Sequence, residues 1–273
     1  MCDRCLMENI RERMLSRRDF FRASAVAGAA ALAATAVPAP QALAQGVAKV
    51  VDMTHSYGPD FPTFFGQPQI AMKQLFNWND HKFNLFELTV NEHTGTHMDA
   101  PFHFSADGLT VDQIPVENLV VPLAVIDIRA KAAESADAQV TPDDIKAWIA
   151  ANGDLPENCC VAMNSGWATH VATEKFRNAD GEGKMHFPGF HVEAAQMLMG
   201  EAKVAGIAVD TLSLDFGMSP DFATHYAWLP SGRWGIECIA SLDNVPAAGA
   251  TFVVGAPKHK GGSGGPARVF AMA

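Results

Sequence analysis

The apolar positions of this chain come in short runs. Residues 47–53, Val-Ala-Lys-Val-Val-Asp-Met, are β-branched enough to predict a first strand. Further runs at 83–90, 123–128, 160–163, 206–210, 251–254 and 268–272 read as strands, the last two closing the fold. Helices are predicted between them. Thr141-Pro142-Asp143-Asp144 has an N-cap hydroxyl, a proline at the first helical position and acids in the first turn. Ile145, Trp148 and Ile149 supply the buried stripe of that helix, and Gly153 ends it. Residues 191–203 read as a second helix. Between the first two strands lies a loop rich in aromatics (Tyr57, Phe61, Phe64, Phe65), punctuated by Gly58, Pro59, Pro62, Gly66 and Pro68. No repeat, linker or heptad interrupts the order, which predicts one mixed α/β domain over 45–273.

The first 44 residues follow another pattern. Six arginines and four acids precede or flank an Ala-rich stretch that breaks at Pro38 and Pro40 and ends in Ala42-Leu43-Ala44. A basic start, a short apolar middle and an A-x-A end are the parts of a secretory signal. The run Ser16-Arg17-Arg18-Asp19-Phe20-Phe21 matches the twin-arginine form, which a receptor of the export machinery reads. The apolar middle, ~15 residues, is short of the roughly 20 that span a bilayer. The Val37-Pro38-Ala39-Pro40 break argues against an amphipathic helix of the folded domain. A periplasmic protein cleaved after Ala44, with no stable membrane insertion, is the expectation.

Composition matters only after that division. The whole chain of 273 residues is 48% hydrophobic and 18% charged, with a formal charge of -10. Losing 44 residues leaves 229, and with six arginines and four acids gone the charge becomes −12. So acidic a domain is unsuited to general nucleic-acid binding, which rests on Lys and Arg at phosphates. Cys2 and Cys5 leave with the signal. Cys159, Cys160 and Cys238 remain as an odd set that predicts no disulfide framework, only buried thiols.

Chemistry concentrates in His93-Thr94-Gly95-Thr96-His97-Met98-Asp99-Ala100-Pro101-Phe102-His103. On a straight strand His93 and His97 would stand about 13 Å apart. Two ligands of one ion, each about 2.1 Å from it, can be no more than roughly 4.2 Å apart. A shared ion therefore requires the chain to coil at Thr-Gly-Thr. The segment lacks the general-base Glu of H-E-x-x-H. A lone histidine is ordinarily a hydrogen-bonded core or surface residue, but His, His, Asp and His at these intervals favour a metal site.

The segment resembles the H-x-G-T-H-x-D-x-P-x-H signature of the metal-dependent cyclase/kynurenine formamidase-like family, which includes arylformamidases and isatin hydrolases. Asp52-Met53-Thr54-His55 is similar to the family's opening D-L-T/S-H, and Asn164-Ser165-Gly166-Trp167 to its strand-end T-G-W. Asp210 through Asp215 resembles D-x-x-S-x-D, and Gly261 through Arg268 resembles G-G-S-G-x-P-x-R. His225 and Glu237 have the spacing of the family's distal ligands.

The resemblance implies a swivelling β/β/α fold with a mixed, barrel-like sheet, and a homodimer or homotetramer. It implies that His93, His97 and Asp99 hold one divalent ion, Zn or Mn. Asp99 would bridge to a second ion held by His225 and Glu237, and His103 would be the general acid/base. The implied activity is hydrolysis of a C–N bond in an aryl formamide, cyclic imide or lactam by metal-activated water. A lactone or ester hydrolase on the same site, or a periplasmic binding protein without catalysis, are the rivals; a retained His103 favours catalysis. Phe64-Phe65-Gly66 stands where the family often has Trp-Pro-Gly, so the substrate does not carry over. Phe64, Phe65, Trp78, Phe102 and Trp167 are the candidates for stacking a planar substrate. Gly261-Gly262-Ser263-Gly264-Gly265 formally fits the G-x-S-x-G nucleophile elbow, but no acid or histidine follows it. Ser263 is expected instead in a backbone-rich loop near the site or at a subunit contact.

Overall fold

The computed structural model describes residues 49–273 apart from 202 and 203; the signal expected over 1–44 lies outside the described residues. Nine strands form one mixed sheet. In sheet order they are β1 (Val50–Asp52), β13 (Arg268–Met272), β11 (Ala250–Gly255), β5 (Val120–Asp127), β7 (Cys160–Asn164), β9 (Gly206–Val209), β10 (Trp234–Glu237), β4 (His97–Asp99) and β12 (Gly264–Pro266). The neighbours β5, β7, β9 and β10 are parallel, and the flanking pairs are antiparallel. Parallel neighbours need crossovers, and the helices Pro142–Asn152, Val192–Glu201 and Ala223–Trp228 lie in the three connections. At the outer end β12 passes through Ala267 directly into β13, so the chain itself joins the two ends of a curled sheet. This is the mixed, barrel-like α/β arrangement that the motifs imply.

Both faces of the sheet are buried, and alternation sorts the side chains. Leu123, Val125, Cys160, Ala162, Ile236 and Phe252 point into the curl, while Ala124, Ile126, Val161, Met163 and Ile207 pack outward against Ile145, Trp148 and Leu198 of the helices. Cys159 and Cys160 fall in different clusters for the same reason, and all three described cysteines are buried and free. The helix at 142 has the predicted cap: Thr141 and Asp144 exchange hydrogen bonds in a capping box, and Gly153 closes the C-terminus. Arg268 and Asp52 pair at 2.6 Å where β13 meets β1.

A hairpin stands apart from this body. Strands β2 (Ile70–Phe76) and β3 (Leu85–Val90) pair only with each other, joined by a short turn of helix over Trp78–His81. The remaining small ladder joins β6 (Gln139–Val140) to β8 (Gly189–Phe190). Among the described residues no helix is long and apolar enough to cross a membrane.

Candidate metal centre and its cavity

The His-rich segment does coil. Gly95 takes a left-handed φ of +67°, and a β-carbon there would sit 2.9 Å from the Tyr57 ring, so both backbone and space call for glycine. The bend brings the His93 and His97 rings to a centroid distance of 5.3 Å. The second threonine pins it: the Thr96 hydroxyl donates to the Cys238 carbonyl at 2.6 Å and accepts from the His55 amide at 2.9 Å. After the bend β4 begins, and its register with β10 places Glu237 directly opposite His97.

Five side chains converge there. His93 Nδ1 lies 2.7 Å from Asp99 Oδ1, and His97 Nε2 lies 3.5 Å from the same oxygen and 3.3 Å from Glu237 Oε2. His225 Nε2 is 3.1 Å from Glu237 Oε1 and 3.7 Å from Asp99 Oδ2. The donor atoms of His97, Asp99 and Glu237 lie within 4.8 Å of one another, as do those of His93, Asp99 and His103. All but His93 and His103 are buried.

The residues fit a cation. His97 Nε2 and Asp99 Oδ2 are buried without any hydrogen-bond partner, an arrangement that is costly in a closed site unless something ligates them. His97 Nδ1 meets the Gly95 carbonyl at 2.9 Å, which leaves the lone pair at Nε2. His225 Nδ1 meets Asp215 Oδ2 at 2.6 Å, which again leaves Nε2 facing the centre. Three imidazoles and two carboxylates suit Zn or Mn. Without a cation the protons must do its work. Burial opposes charge on His97, but the adjoining carboxylates of Asp99 and Glu237 outweigh it and lift its pKa to about 10. Burial would likewise raise Asp99, yet its three histidine neighbours hold it well below the usual range.

Asp215 carries no role in the sequence reading, although it ends the D-x-x-S-x-D segment. Its carboxylate accepts the amides of Thr224 and His225 at 2.8 and 3.1 Å, capping the helix Ala223–Trp228, and also orients the His225 ring. Asp210, at the start of that segment, accepts the Ser165 hydroxyl at 2.6 Å and the Trp167 amide at 2.8 Å. It ties the ends of β9 and β7 together, and burial pushes its pKa up to about 6 against those hydrogen bonds.

The centre opens into a cavity of about 330 Å³, lined on the chemical side by His93, His97, His103, His225 and Glu237. Phe61, Phe64, Phe65, Phe104 and Phe222 form its apolar wall. His103 stacks on His93 at 3.8 Å and lies on the turn Pro101–Phe104. Burial, opposed by Asp99 and reinforced by the neighbouring histidines, lowers its pKa to about 4.

Of the aromatic candidates, Phe64 and Phe65 line this cavity; Trp78, Phe102 and Trp167 do not. Trp78 lies in the turn of the hairpin, and Phe102 is exposed outside the cavity lining. Trp167 is core, its indole donating to the Phe176 carbonyl at 3.0 Å. Phe104 and Phe222 were the aromatics to find. Phe104 directly follows His103, which is a usable signal, whereas Phe222 reaches the site only through its left-handed turn before the helix of His225.

The family model named Cyclase matches residues 51–216. The isatin hydrolase of Roseibium aggregatum is 32% identical over 250 residues, covering 84% of this chain and 94% of the relative. The kynurenine formamidase of Salinibacter ruber is 26% identical over 224 residues, 80% of this chain and 95% of its own length. Isatin hydrolase A from Ralstonia solanacearum superposes with a TM-score of 0.77 at 34% identity, over 82% of this chain and 92% of that one. Motif, fold and site thus agree with the comparisons, and the chain belongs to the cyclase family.

Proposed function

We propose that this protein is a metal-dependent hydrolase that opens a C–N bond in a planar aryl substrate, a cyclic imide or lactam of the isatin type or an aryl formamide. One observation carries the reading: five ligand-type side chains converge with two partnerless buried donor atoms, His97 Nε2 and Asp99 Oδ2, at the floor of a phenylalanine-walled cavity. The relatives' names, isatin hydrolase and kynurenine formamidase, support the bond type. His93, His97, Asp99, His225 and Glu237 would hold a divalent ion, which would supply Lewis-acid polarisation of a carbonyl and a water of lowered pKa.

The chain's own groups divide the remaining work. Phe64, Phe65, Phe104 and Phe222 exclude water and offer faces against which a flat ring can stack. His103 has a ring nitrogen within 4.8 Å of donor atoms of His93 and Asp99, so it can reach a water at the centre. It takes a proton from the water whose oxygen forms the new C–O bond. It then returns that proton to the nitrogen as the C–N bond breaks. An amine leaves poorly without that proton, which is why an amide hydrolase needs this histidine more than an ester hydrolase does.

His97→Ala is expected to lose both bound metal and turnover, and retained metal stoichiometry overturns the ligand assignment. His103→Ala is expected to keep the metal and lose turnover by 10²–10⁴-fold; loss of metal would make it a ligand.

Export and self-association complete the proposal. The twin-arginine segment supports a periplasmic location. The hairpin supports assembly with a second copy. Its pairs Met72–Leu88, Gln74–Phe86 and Ile70–Val90 share one face, while Lys73–Glu87 occupy the other. Met72, Leu75, Trp78, Leu85, Phe86 and Leu88 are 40–59% exposed. On the face shared by Met72, Phe86 and Leu88 these side chains are about half exposed, an apolar patch of the kind that self-association covers.

A further inference from the structure

The glycine-rich segment that mimics a nucleophile elbow lies beside the metal centre and ends in a hydrogen-bonded chain. Ser263 Oγ is 3.0 Å from His93 Nε2 and 2.5 Å from Glu92 Oε2. Glu92 is held from two further directions: Oε2 accepts the Ser263 amide at 3.2 Å, and Oε1 meets His259 Nε2 at 2.5 Å. The loop is built for this approach. A β-carbon on Gly262 would lie 2.1 Å from His259 Nε2 and 2.6 Å from Glu92 Oε1. One on Gly264 would lie 2.1 Å from the Met98 carbonyl and 2.9 Å from His93 Cε1. Ser263 is further fixed by its carbonyl, which accepts the Ala100 amide at 2.9 Å.

Counting donors settles the direction of the chain. A serine hydroxyl has one proton, and a carboxylate can only accept, so the Ser263 proton goes to Glu92. Its oxygen can then only accept from His93, which must carry its proton on Nε2. That leaves the lone pair on Nδ1, 2.7 Å from Asp99 Oδ1. Two acceptors so close require a cation or a proton between them. For His97 and His225 the metal-facing atom is Nε2, set by a carbonyl and by a carboxylate; His93 is turned the other way round.

We propose that Ser263 and Glu92 are positioning residues that fix the Nε2–H tautomer of His93 and thereby present Nδ1 to the divalent ion. The proposal rests on the metal reading of the centre but not on the identity of the substrate. Partners of this kind are worth 10–100-fold in metal affinity.

The test measures Mn²⁺ and Zn²⁺ dissociation constants by chelator competition for the full protein and for Ser263→Ala, Glu92→Ala and Glu92→Gln. Both alanine variants should bind metal 10–100-fold more weakly, while the metal-free proteins melt at the wild-type temperature. Glu92→Gln, which keeps an oxygen for the serine proton, should recover most of the affinity. In Co²⁺-loaded wild type the exchangeable proton on His93 Nε2 should give a shifted, slowly exchanging NMR signal, and Ser263→Ala should speed its exchange. Unchanged metal affinity and an unchanged signal in Ser263→Ala overturn the proposal. Equal loss in Glu92→Gln and Glu92→Ala removes the hydroxyl-bridge role assigned to Glu92. A wild-type protein that binds neither metal overturns the parent reading as well, which separates the two failures.

Discussion

Each of the three ligand-type histidines at the centre has one ring nitrogen committed elsewhere: His97 to a carbonyl, His225 to Asp215, His93 to Ser263. That commitment decides which lone pair faces inward, and it distinguishes a built site from a chance cluster. Asp215 does two jobs, so Asp215→Ala should show two effects. Metal affinity should fall 10–100-fold, and loss of the cap on the helix Ala223–Trp228 should cost about 1–2 kcal/mol in denaturant titration of the metal-free protein. Normal metal affinity in that variant would remove the orienting role. The ligand-type residues were legible because four of the relevant positions, His93, His97, Asp99 and His103, sit within eleven residues of sequence. Glu92 and Ser263 act only through a contact made across the fold, 171 positions apart, and Asp215 through a turn that returns the helix start nine and ten positions on to its carboxylate. The aromatic wall was half legible for the same reason, since an aromatic residue's part in a cavity or a core depends on what lies opposite it.

At the scale of elements, runs such as 160–163, 251–254 and 268–272 announce themselves because long neighbours bury them. The strands that carry the site do not. β4 and β12 are three residues long, and β10 is four, with glycine or histidine where an apolar residue would be expected. Their pairing comes from register with one another, not from local propensity. The hairpin is the reverse case. Residues 83–90 were legible as a strand, but not that, among the described residues, its apolar side chains Phe86 and Leu88 would stay about half exposed. A two-stranded ribbon is marginal alone, so this one needs a cover, and a second copy offers the same patch in return. Phe86→Glu combined with Leu88→Lys should convert an assembled protein to monomer in sedimentation velocity without changing the far-ultraviolet circular dichroism of the body. An assembly that survives both substitutions would place the interface elsewhere.

For the whole molecule, sheet closure and metal binding are one problem. Four of the five ligand-type residues sit on β4, on β10 and on the bend before β4, where strand β12 also lies, and His225 comes in on the helix Ala223–Trp228, so an ion there ties together the closing end of the sheet and that helix. At a thousandfold excess over its dissociation constant a native-state ligand adds about 4 kcal/mol. In a domain of this size that is on the order of 10 °C in melting temperature. Calorimetry with and without Mn²⁺ should show it, and an unchanged melting point would mean that the centre is not closed by metal. The N-terminal 44 residues are tested separately. Arg17→Lys with Arg18→Lys should leave the precursor inside the cell, whereas the wild-type product should be periplasmic and begin at Gln45. The central claim is tested most directly by one rate measurement: ring opening of isatin, beside formylkynurenine and an aryl lactone, by chelated protein and by the same protein reloaded with Mn²⁺ or Zn²⁺. The account predicts hydrolysis of an amide substrate that vanishes on chelation and returns with metal. Full activity in the chelated protein, or turnover of the lactone alone, would contradict it.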